Sequence, residues 1–436
     1  MKKKVSIFWF RRDLRLQDNC GLYHALSSNH EVLPIFIFDK DILDDLSDKE
    51  DARLSFIHQE LNKLNQELKE KKNSGLVCKY GKVDDVWEEL VNQFEIQAVF
   101  TNHDYEPYAI KRDERVCQFL KEKEIAFHSF KDQVIFEKDE IVKDNGEPYL
   151  VYTPYSKKWL SMLSEKHLES YTSGLMFDNW HQYSVENIPT LSSMGFKKSD
   201  ASFPSLSVSN NTLLSYEDER DSPPKDSTSR VGIHLRFGTI SIRKLASQAK
   251  GKSMVFLKEL IWREFFMMIL YHYPKVVDHN FNSKYDRVEW RNNEDDFKKW
   301  CNGETGYLLV DAGMRELNQT GFMHNRVRML VASFLTKHLL IDWKWGEAYF
   351  AQKLLDYELA SNNGNWQWAA GTGVDAAPYF RIFNPITQVD KFDKQHIYIK
   401  RWVNDYKSES YPEKMVEHKA ARERALHIFK KAINKS

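Results

Sequence analysis

The sequence predicts an N-terminal α/β domain with a doubly wound parallel sheet, followed by a larger all-α domain. Over residues 1–131, short apolar runs rich in β-branched and aromatic residues alternate with helical patterns, which is typical of a parallel sheet. Over residues 206–436, apolar residues recur at a spacing near that of an α-helix. Between these ranges, residues 132–205 show no sustained period, so we predict an interdomain linker with a few short helices.

The predicted strands are short runs with helical patterns between them. They are VSIFWF (5–10), VLPIFIF (32–38), LVCKY (76–80), AVFTN (98–102) and IAFHSF (125–130). The clearest helical patterns run from Ala52 to Lys71 and from Ala109 to Glu124. No GxGxxG or P-loop motif follows the first strand, so neither kind of phosphate site is indicated. The turn there reads RRDLRLQDN; its arginines bind an anion or form a solvated, salt-bridged loop, and charge alone favours the loop.

Composition leaves several classes of partner open and argues against others. Lys+Arg and Asp+Glu both number 63, but a nucleic-acid binder needs only a basic face, so net charge does not decide partners. The four cysteines are far apart without a CxxC pair, which argues against a disulfide scaffold and a metal site. We expect a reduced, cytoplasmic protein. No apolar run approaches a membrane span, so we expect no membrane partner.

The stretch DYELASNNGNWQWAAGTGVDAAPYFRIFNPITQ combines residues that a helix interior does not normally hold. Asn362 and Trp366 are four residues apart and share one helix face, while Trp368 points elsewhere. The Asn-Asn-Gly run opposes a helix, because Asn competes for backbone hydrogen bonds and Gly costs about 1 kcal/mol against Ala. The residues fit equally a backbone that approaches a ligand closely and an ordinary helix end followed by a loop.

Two further clusters could carry chemistry. The segment 228–232, TSRVG, stands before HLRFGTIS, where small hydroxyl residues cap a helix or bind phosphate; the residues alone favour capping. Glu259, Trp262 and Arg263 lie on one face of a helix, a mixture that is hard to explain as core.

A third cluster is MHNRVRM. There Asn325, Arg328 and Met329 share a face and Arg326 points off it. Three tryptophans, Trp290, Trp343 and Trp366, follow in the motifs VEW, IDW and GNW, and each taken singly is typical of a core residue.

With these motifs the chain resembles the photolyase/cryptochrome flavoproteins, and most closely class I cyclobutane pyrimidine dimer DNA photolyases. The motifs are FWFRRDLRLQDN, TSR, ELIWREF, GYLLVDAGMRELNQTGFMHNRVRM, DW and ASNNGNWQWAAGTGVDAAPYFRIFNP, within Phe8 to Trp402. The resemblance implies an antenna domain over 1–131 and a helical domain over 206–436 that binds U-shaped FAD and UV-damaged DNA. It also implies a carbon-carbon lyase, deoxyribodipyrimidine photo-lyase, which splits a flipped-out dimer by electron transfer from excited reduced FAD. We further expect a monomer.

The resemblance also implies roles for individual residues. Cofactor binding falls to Tyr216, Thr228, Ser229, Arg230, Val231, Gly232, Phe256, Trp262, Arg263, Asn325, Arg328, Asp356, Tyr357, Glu358 and Asn362, with Asn362 at the flavin N5. Lesion and DNA contacts fall to Arg220, Glu259, Trp262, Asn325, Arg326, Met329 and Trp368. The catalytic set comprises Glu259, Asn362 and an electron-transfer chain whose inner, middle and outer members are Trp366, Trp343 and Trp290.

Two departures from the family pattern affect this expected site. Glu358 stands where Asp is usual, which would make one flavin contact a methylene longer. Gly232 stands where Ser is common, although backbone donors can serve a phosphate. We expect Arg328 and Asp356 to pair across the flavin ring and so to compensate each other's burial.

The competing function is a blue-light receptor, a cryptochrome without repair activity. Plant-type cryptochromes have Asp at the position of Asn362 and usually a long C-terminal tail, whereas this chain ends soon after Trp402. The (6-4) photolyases usually have His at the positions of Asn325 and Met329, so these residues favour the cyclobutane dimer. A non-catalytic flavin scaffold is disfavoured by the complete lesion-pocket set. The antenna chromophore stays open between a deazaflavin, a flavin and none, because the Asn-Glu pair of the folate-type site is missing after Tyr105-Glu106.

Overall fold

The computed structural model describes residues 3–173, 177–183, 187–225 and 227–434. The chain divides into two compact units. The first comprises Met1–Glu137, Met162–Ser207 and Val231–Lys250, and the second Lys138–Ser161, Val208–Arg230 and Gly251–Ser436. This division differs from the predicted boundaries, because the range predicted as a linker contributes to both units. The segments of this range are held by individual hydrogen bonds, which produce no periodic pattern in the sequence. The Asn179 side-chain amide, for example, donates to the carbonyl oxygens of Leu26, Ser28 and His30.

In the described residues, the first unit contains a parallel sheet of five strands in the order β3-β2-β1-β4-β5. The strands are β1 (Lys4–Phe10), β2 (Val32–Asp39), β3 (Val77–Gly81), β4 (Glu95–Asn102) and β5 (Ala126–Phe130). Strand β2 is buried along its whole length, as expected for a parallel strand covered on both faces. The predicted doubly wound α/β sheet is confirmed.

Helices connect the strands and build the second unit. They are α1 (Cys20–Leu26), α2 (Lys40–Asp44), α3 (Ala52–Lys72), α4 (Val83–Gln93), α5 (Pro107–Glu122), α6 (Tyr152–Met162), α7 (Asn210–Glu219), α8 (Gly232–Arg236), α9 (Ile242–Lys250), α10 (Met254–His272), α11 (Glu294–Asn302), α12 (Leu308–Thr320), α13 (Asn325–Ser333), α14 (Trp343–Lys353), α15 (Leu359–Ala370), α16 (Pro385–Phe392), α17 (Ile397–Trp402) and α18 (His418–Asn434). A π-helical turn, Phe334–His338, follows α13. No helix in the described ranges is long and apolar enough to cross a membrane.

The arginines of the turn after β1 form a salt-bridged loop, which is the alternative that their charges favoured in the sequence analysis. Their pairs are Arg11 with Asp113, Arg12 with Asp104 and Glu106, and Arg15 with Asp132. The loop is buried rather than solvated, since the three arginine side chains are only 9% exposed. Burial alone would raise the pKa of Asp104, but Arg12 and Arg11 lower it below its usual range. The arginines therefore compensate buried carboxylates, and this compensation stabilises the turn.

The Asn-Asn-Gly run lies inside α15, which ends at Ala370 and is followed by a loop, as one of the two interpretations of this stretch predicted. Asn363 is buried and donates to the Val276 carbonyl oxygen at 2.9 Å, so tertiary hydrogen bonding offsets its poor helix propensity. At Gly364, a Cβ atom would lie 2.1 Å from the ring of Phe266 on α10. The Phe266 ring of α10 therefore packs directly against the backbone of α15 at Gly364.

We expect Gly364→Ala to destabilise the protein by up to about 2 kcal/mol. Overpacking a core costs about 1–3 kcal/mol, whereas the gain in helix propensity from Gly to Ala is about 1 kcal/mol. Gly251→Ala is a control for the steric effect, because apart from its chain neighbours no described atom lies within 4 Å of a Cβ at that position. Urea unfolding of both variants measures the difference. Higher stability of Gly364→Ala than of wild type would contradict the close packing of α10 on α15.

Candidate active site

One cavity of the second unit collects many of the predicted site residues. It has a volume of about 600 Å³, including the part open to solvent, and is lined by α13, α14, α15 and the segment before α15. The predicted residues that line it are Asn325, Arg328, Met329, Asp356, Tyr357, Glu358, Asn362, Trp366 and Trp368. They include residues predicted for the cofactor and for the lesion. The other predicted residues lie outside its lining.

An ion pair forms one wall of the cavity. Nη1 and Nη2 of Arg328 donate to the two carboxylate oxygens of Asp356 at 3.2 and 3.0 Å. Nε of Arg328 also donates to the Met323 carbonyl oxygen at 2.7 Å, which fixes the guanidinium plane. The predicted pair is thus present, and its two-point geometry holds both charges in one orientation.

Asn362 is oriented by a residue that the sequence did not single out, Glu347 of α14. The Asn362 side-chain nitrogen donates to the Glu347 carbonyl oxygen at 3.1 Å and to its Oε1 at 2.8 Å. Burial raises the pKa of Glu347, and the bond from Asn362 acts in the opposite direction. Because both amide hydrogens are used, the Asn362 carbonyl oxygen is left to accept a hydrogen bond from a group in the cavity. Glu347 has no motif of its own, so only the folded structure reveals it.

Glu358, one of the departures from the family pattern, caps α15. Its carboxylate accepts from the backbone N–H of Ser361 at 3.0 Å and from the Ser361 hydroxyl at 2.9 Å. A side-chain oxygen at this position satisfies N–H groups that the helix cannot pair itself. The extra methylene therefore still allows a helix cap.

His324 caps α13 and thereby sets the direction of the cluster that follows it. Its Nδ1 accepts from the Arg326 backbone N–H at 3.2 Å. Burial lowers the pKa of His324 to about 4, so the ring is neutral at pH 7 and can accept this bond. From this start, Asn325, Arg328 and Met329 all face the cavity, whereas Arg326 does not line it, as the helix spacing predicted.

Thr228 and Ser229 do not cap a helix, so the capping interpretation is wrong. Helix α8 begins at Gly232 with Val231 as its N-cap, and no side chain makes the cap hydrogen bond. Val231 and Gly232 belong to the first unit, whereas Thr228 and Ser229 belong to the second. In the described part of the chain, no side-chain hydrogen bond engages either hydroxyl, so both are available to a ligand.

Arg230 contacts Phe322, a residue of the motif GYLLVDAGMRELNQTGFMHNRVRM to which sequence analysis gave no role. The Arg230 guanidinium lies 4.4 Å from the Phe322 ring centroid, and that of Arg328 lies 5.7 Å from it. Arg230 also has a positive φ of 52°, an uncommon conformation for a residue with a side chain. Phe322 thus connects the TSR segment with the ion-pair wall of the cavity.

A second group of predicted residues lies on α10. The Trp262 ring stacks on Tyr152 of α6 with centroids 3.6 Å apart and planes 6° apart. Burial raises the pKa of Tyr152 to about 12, and its hydroxyl donates to the Lys258 carbonyl oxygen at 2.8 Å. Tyr152 lies in the range predicted as a linker, so sequence analysis missed it. Glu259 lies one turn before Trp262, and Arg263 directly follows Trp262.

Helix α7 completes this second group. Tyr216 packs edge-on against Phe256 of α10, with ring centroids 5.0 Å apart. Arg220 lies 5.8 Å from the Tyr216 ring centroid and forms an ion pair with Glu259. Two residues predicted for the cofactor and two predicted for the lesion therefore form one cluster.

At the cavity, the predicted lesion residues lie near cations. Nη1 of Arg326 is 3.7 Å from Sδ of Met329. The Arg381 guanidinium lies 6.0 Å from the Trp368 ring centroid. Guanidinium groups therefore lie beside the polarisable Met329 and the aromatic Trp368, a combination that suits nucleic acid.

The three predicted electron-transfer tryptophans differ in burial. Trp366 and Trp343 are 3% and 1% exposed, and Trp290 is half-buried. The Trp366 ring lies against Gly346 of α14, three residues after Trp343. The segment after Trp290 is tied to the start of α14, because Asn292 accepts from the Asp342 N–H at 2.9 Å. All three pack in one hydrophobic cluster.

This combination of a parallel α/β unit, a helical cavity and a tryptophan series is similar to photolyase/cryptochrome flavoproteins. The family model for DNA photolyase matches residues 6–172, and that for the FAD binding domain of DNA photolyase matches residues 256–410. The deoxyribodipyrimidine photo-lyase of Halobacterium salinarum is 33% identical, with 98% of this chain and 99% of the relative covered. The chain belongs to the DNA photolyase family.

Solved structures agree with this assignment. A bacterial class III photolyase from Agrobacterium tumefaciens is 33% identical with a TM-score of 0.87, and 100% of this chain and 99% of that chain are covered. An archaeal photolyase from Sulfolobus tokodaii, solved with two FAD molecules, is 35% identical with a TM-score of 0.85 and coverage of 98% and 100%. The predicted cofactor FAD is thus supported, and the class within the family stays a prediction.

Proposed function

We propose that the protein is a deoxyribodipyrimidine photo-lyase that splits cyclobutane pyrimidine dimers in UV-damaged DNA under light. The observation that carries the proposal is that residues assigned to the cofactor, Arg328, Asp356 and Asn362, line the same cavity as residues assigned to the lesion, Met329 and Trp368. A cofactor and an extruded base would therefore be neighbours. When bound, reduced FAD supplies on excitation the electron that opens the dimer.

The cavity residues fit a reduced flavin. The carbonyl oxygen of Asn362, left over by its bonds to Glu347, can accept from the N5–H of a reduced ring. The pair of Arg328 and Asp356 offers a fixed donor and acceptor without net charge. The hydroxyls of Thr228 and Ser229 serve the diphosphate, and Tyr216, Phe256 and Arg263 complete the cofactor environment.

The lesion residues hold the dimer outside the duplex. Flipping a base costs a few kcal/mol, and less for a lesion that pairs badly. Stacking on Trp262 and Trp368 offsets this cost by roughly 1–3 kcal/mol per base. Tyr152 supports the Trp262 ring from its stacked face and so keeps it rigid. Glu259 hydrogen-bonds the base edges and thereby stabilises the charge that develops on the pyrimidines.

Phosphate contacts and electron supply fall to other residues. Arg220 and Arg326 hold the flanking phosphates, which position the strand without reading its sequence. Trp290, Trp343 and Trp366 pass electrons inward from the surface, so that the resting cofactor can be returned to its reduced form. We also propose that the protein works as a monomer in the cytoplasm, with the antenna type left open.

Repair is favoured over the photoreceptor alternative. Asn362 differs from the Asp of plant-type cryptochromes, and a relative named as a photo-lyase is similar over the whole chain. The lesion residues Asn325 and Met329 are both present at the cavity. A signalling protein would not require them.

The purified protein is expected to be yellow or blue, with an equimolar amount of noncovalent FAD, and to restore thymine absorbance in an illuminated oligonucleotide that carries one thymine dimer. A visible spectrum and the repair assay with fully reduced FAD measure the two properties. A folded, colourless protein that takes up no added FAD would contradict the cofactor assignment. A loaded, reduced protein that repairs neither single- nor double-stranded substrate would leave the photoreceptor as the better account.

A further inference from the structure

Two consecutive residues after α7 form opposite ion pairs with two different helices. Arg220 pairs with Glu259 of α10. The Asp221 carboxylate accepts from Nη2 of Arg326 of α13 at 2.5 Å. We call these four residues the charge clasp. Through it, one dipeptide joins α10 to α13, which carry most of the proposed lesion residues.

The charge clasp contains both cations to which the proposed function assigns DNA phosphates. In the free protein, each has a carboxylate partner, so the four charges sum to zero. Both pairs are partly exposed, with side-chain exposures of 27% and 34% for Arg220 and Glu259 and of 20% and 51% for Arg326 and Asp221. Ion pairs of this kind contribute about 0–1 kcal/mol, so DNA can open them at low cost.

We propose that the charge clasp is an inhibitory contact in which Asp221 competes with DNA phosphates for Arg326 and so weakens DNA binding; this inference rests on the proposed function. On damaged and undamaged DNA alike, a phosphate takes the place of the Asp221 carboxylate beside Arg326, and the released carboxylate repels that phosphate. On DNA with an extruded dimer, opening the clasp also frees Glu259 for the base edges. The cost of releasing Asp221 is therefore the same on both kinds of DNA, whereas only a lesion offers Glu259 a new partner.

Asp221 can be tested without moving its partner. The Arg326 guanidinium lies 4.8 Å from the Phe392 ring centroid, and this contact holds it in place when the carboxylate is neutralised. Asp221→Asn preserves the shape of the side chain. Asp218 is the matched control, since it is exposed in the last turn of α7 and forms no ion pair in the described ranges.

The experiment measures binding of Asp221→Asn, Asp218→Asn and wild type to a duplex with one thymine dimer and to the same duplex without it, by fluorescence anisotropy at several salt concentrations. For undamaged DNA, we expect Asp221→Asn to bind about three- to fivefold more tightly than wild type, as expected for release of one exposed pair. The slope of affinity against salt should steepen by about one contact. Binding to the dimer should tighten by a similar factor, because Arg326 holds a phosphate in both complexes, so the discrimination ratio should stay close to that of wild type.

A second variant separates the pair from general electrostatics. In an Arg326→Ala background, Asp221→Asn should no longer tighten binding to undamaged DNA, because the cation that it releases is gone. Unchanged binding of undamaged DNA by Asp221→Asn, or an equal shift in Asp218→Asn, would overturn the proposal. If wild type itself shows no preference for the dimer, the proposed function fails, whereas the comparison on undamaged DNA still reports on the clasp.

Discussion

Trp366→Phe is expected to abolish light-driven reduction of oxidised FAD while sparing repair by protein that was reduced beforehand. Trp366 lines the proposed cofactor cavity and is 3% exposed, and its ring packs on the helix that begins with Trp343. Phenylalanine fills most of that space but is much harder to oxidise than tryptophan, so the inner step of the chain is lost. The flavin absorbance under illumination with an external thiol reports the first property, and dimer repair after dithionite reduction the second.

Trp300→Phe is the control for this experiment. The Trp300 ring is also fully buried and lies 6.1 Å from Trp366, but it does not line the cavity. Light-driven reduction should persist in that variant. If prereduced Trp366→Phe repairs nothing, Trp366 acts in the lesion site or in the core. Reduction at the wild-type rate in Trp366→Phe would instead show that electrons reach the cofactor by another residue.

The sheet and the cavity-lining face of α13 could be predicted because each has a local periodic signal. Strands such as β2 are buried on both faces and therefore read as continuous apolar runs. Asn325, Arg328 and Met329 face one cavity because the helix period places them there. Helix α15 shows the limit of such signals, since Asn363 and Gly364 oppose a helix locally and are accommodated by contacts with distant segments.

The supporting residues of the site could not be predicted, because their contacts join segments far apart in the chain. Tyr152 stacks on Trp262, Glu347 orients Asn362, and Asp221 pairs with Arg326. None of these three supporting residues lies in a motif with a defined chemical role. Their functions depend on geometry that arises only when the helices pack, so the sequence supplies the reacting residues and the fold reveals what holds them.

Glu259 is the residue whose replacement should affect repair most directly. It lies on α10 one turn before Trp262, with its side chain 34% exposed, and in the free protein it pairs with Arg220. Opening of that pair on damaged DNA would leave the carboxyl group beside the extruded bases. One hydrogen bond there contributes a net stabilisation of about 0.5–1.5 kcal/mol, and more when charge develops on the acceptor. The contribution grows as the pyrimidines take up charge, so it favours splitting over return of the electron.

Glu259→Ala is therefore expected to reduce the number of dimers split per absorbed photon by up to about tenfold, the equivalent of one such bond. FAD content should stay close to wild type, because Glu259 does not line the cofactor cavity. Binding to damaged DNA should fall only modestly, since stacking on Trp262 and Trp368 remains. Glu259→Gln retains groups that can bond the base edges and should give an intermediate yield. Wild-type yield in Glu259→Ala, measured on the single-dimer oligonucleotide with fully reduced FAD, would remove Glu259 from the lesion site; a loss of FAD in that variant would make it a structural residue of the pocket instead.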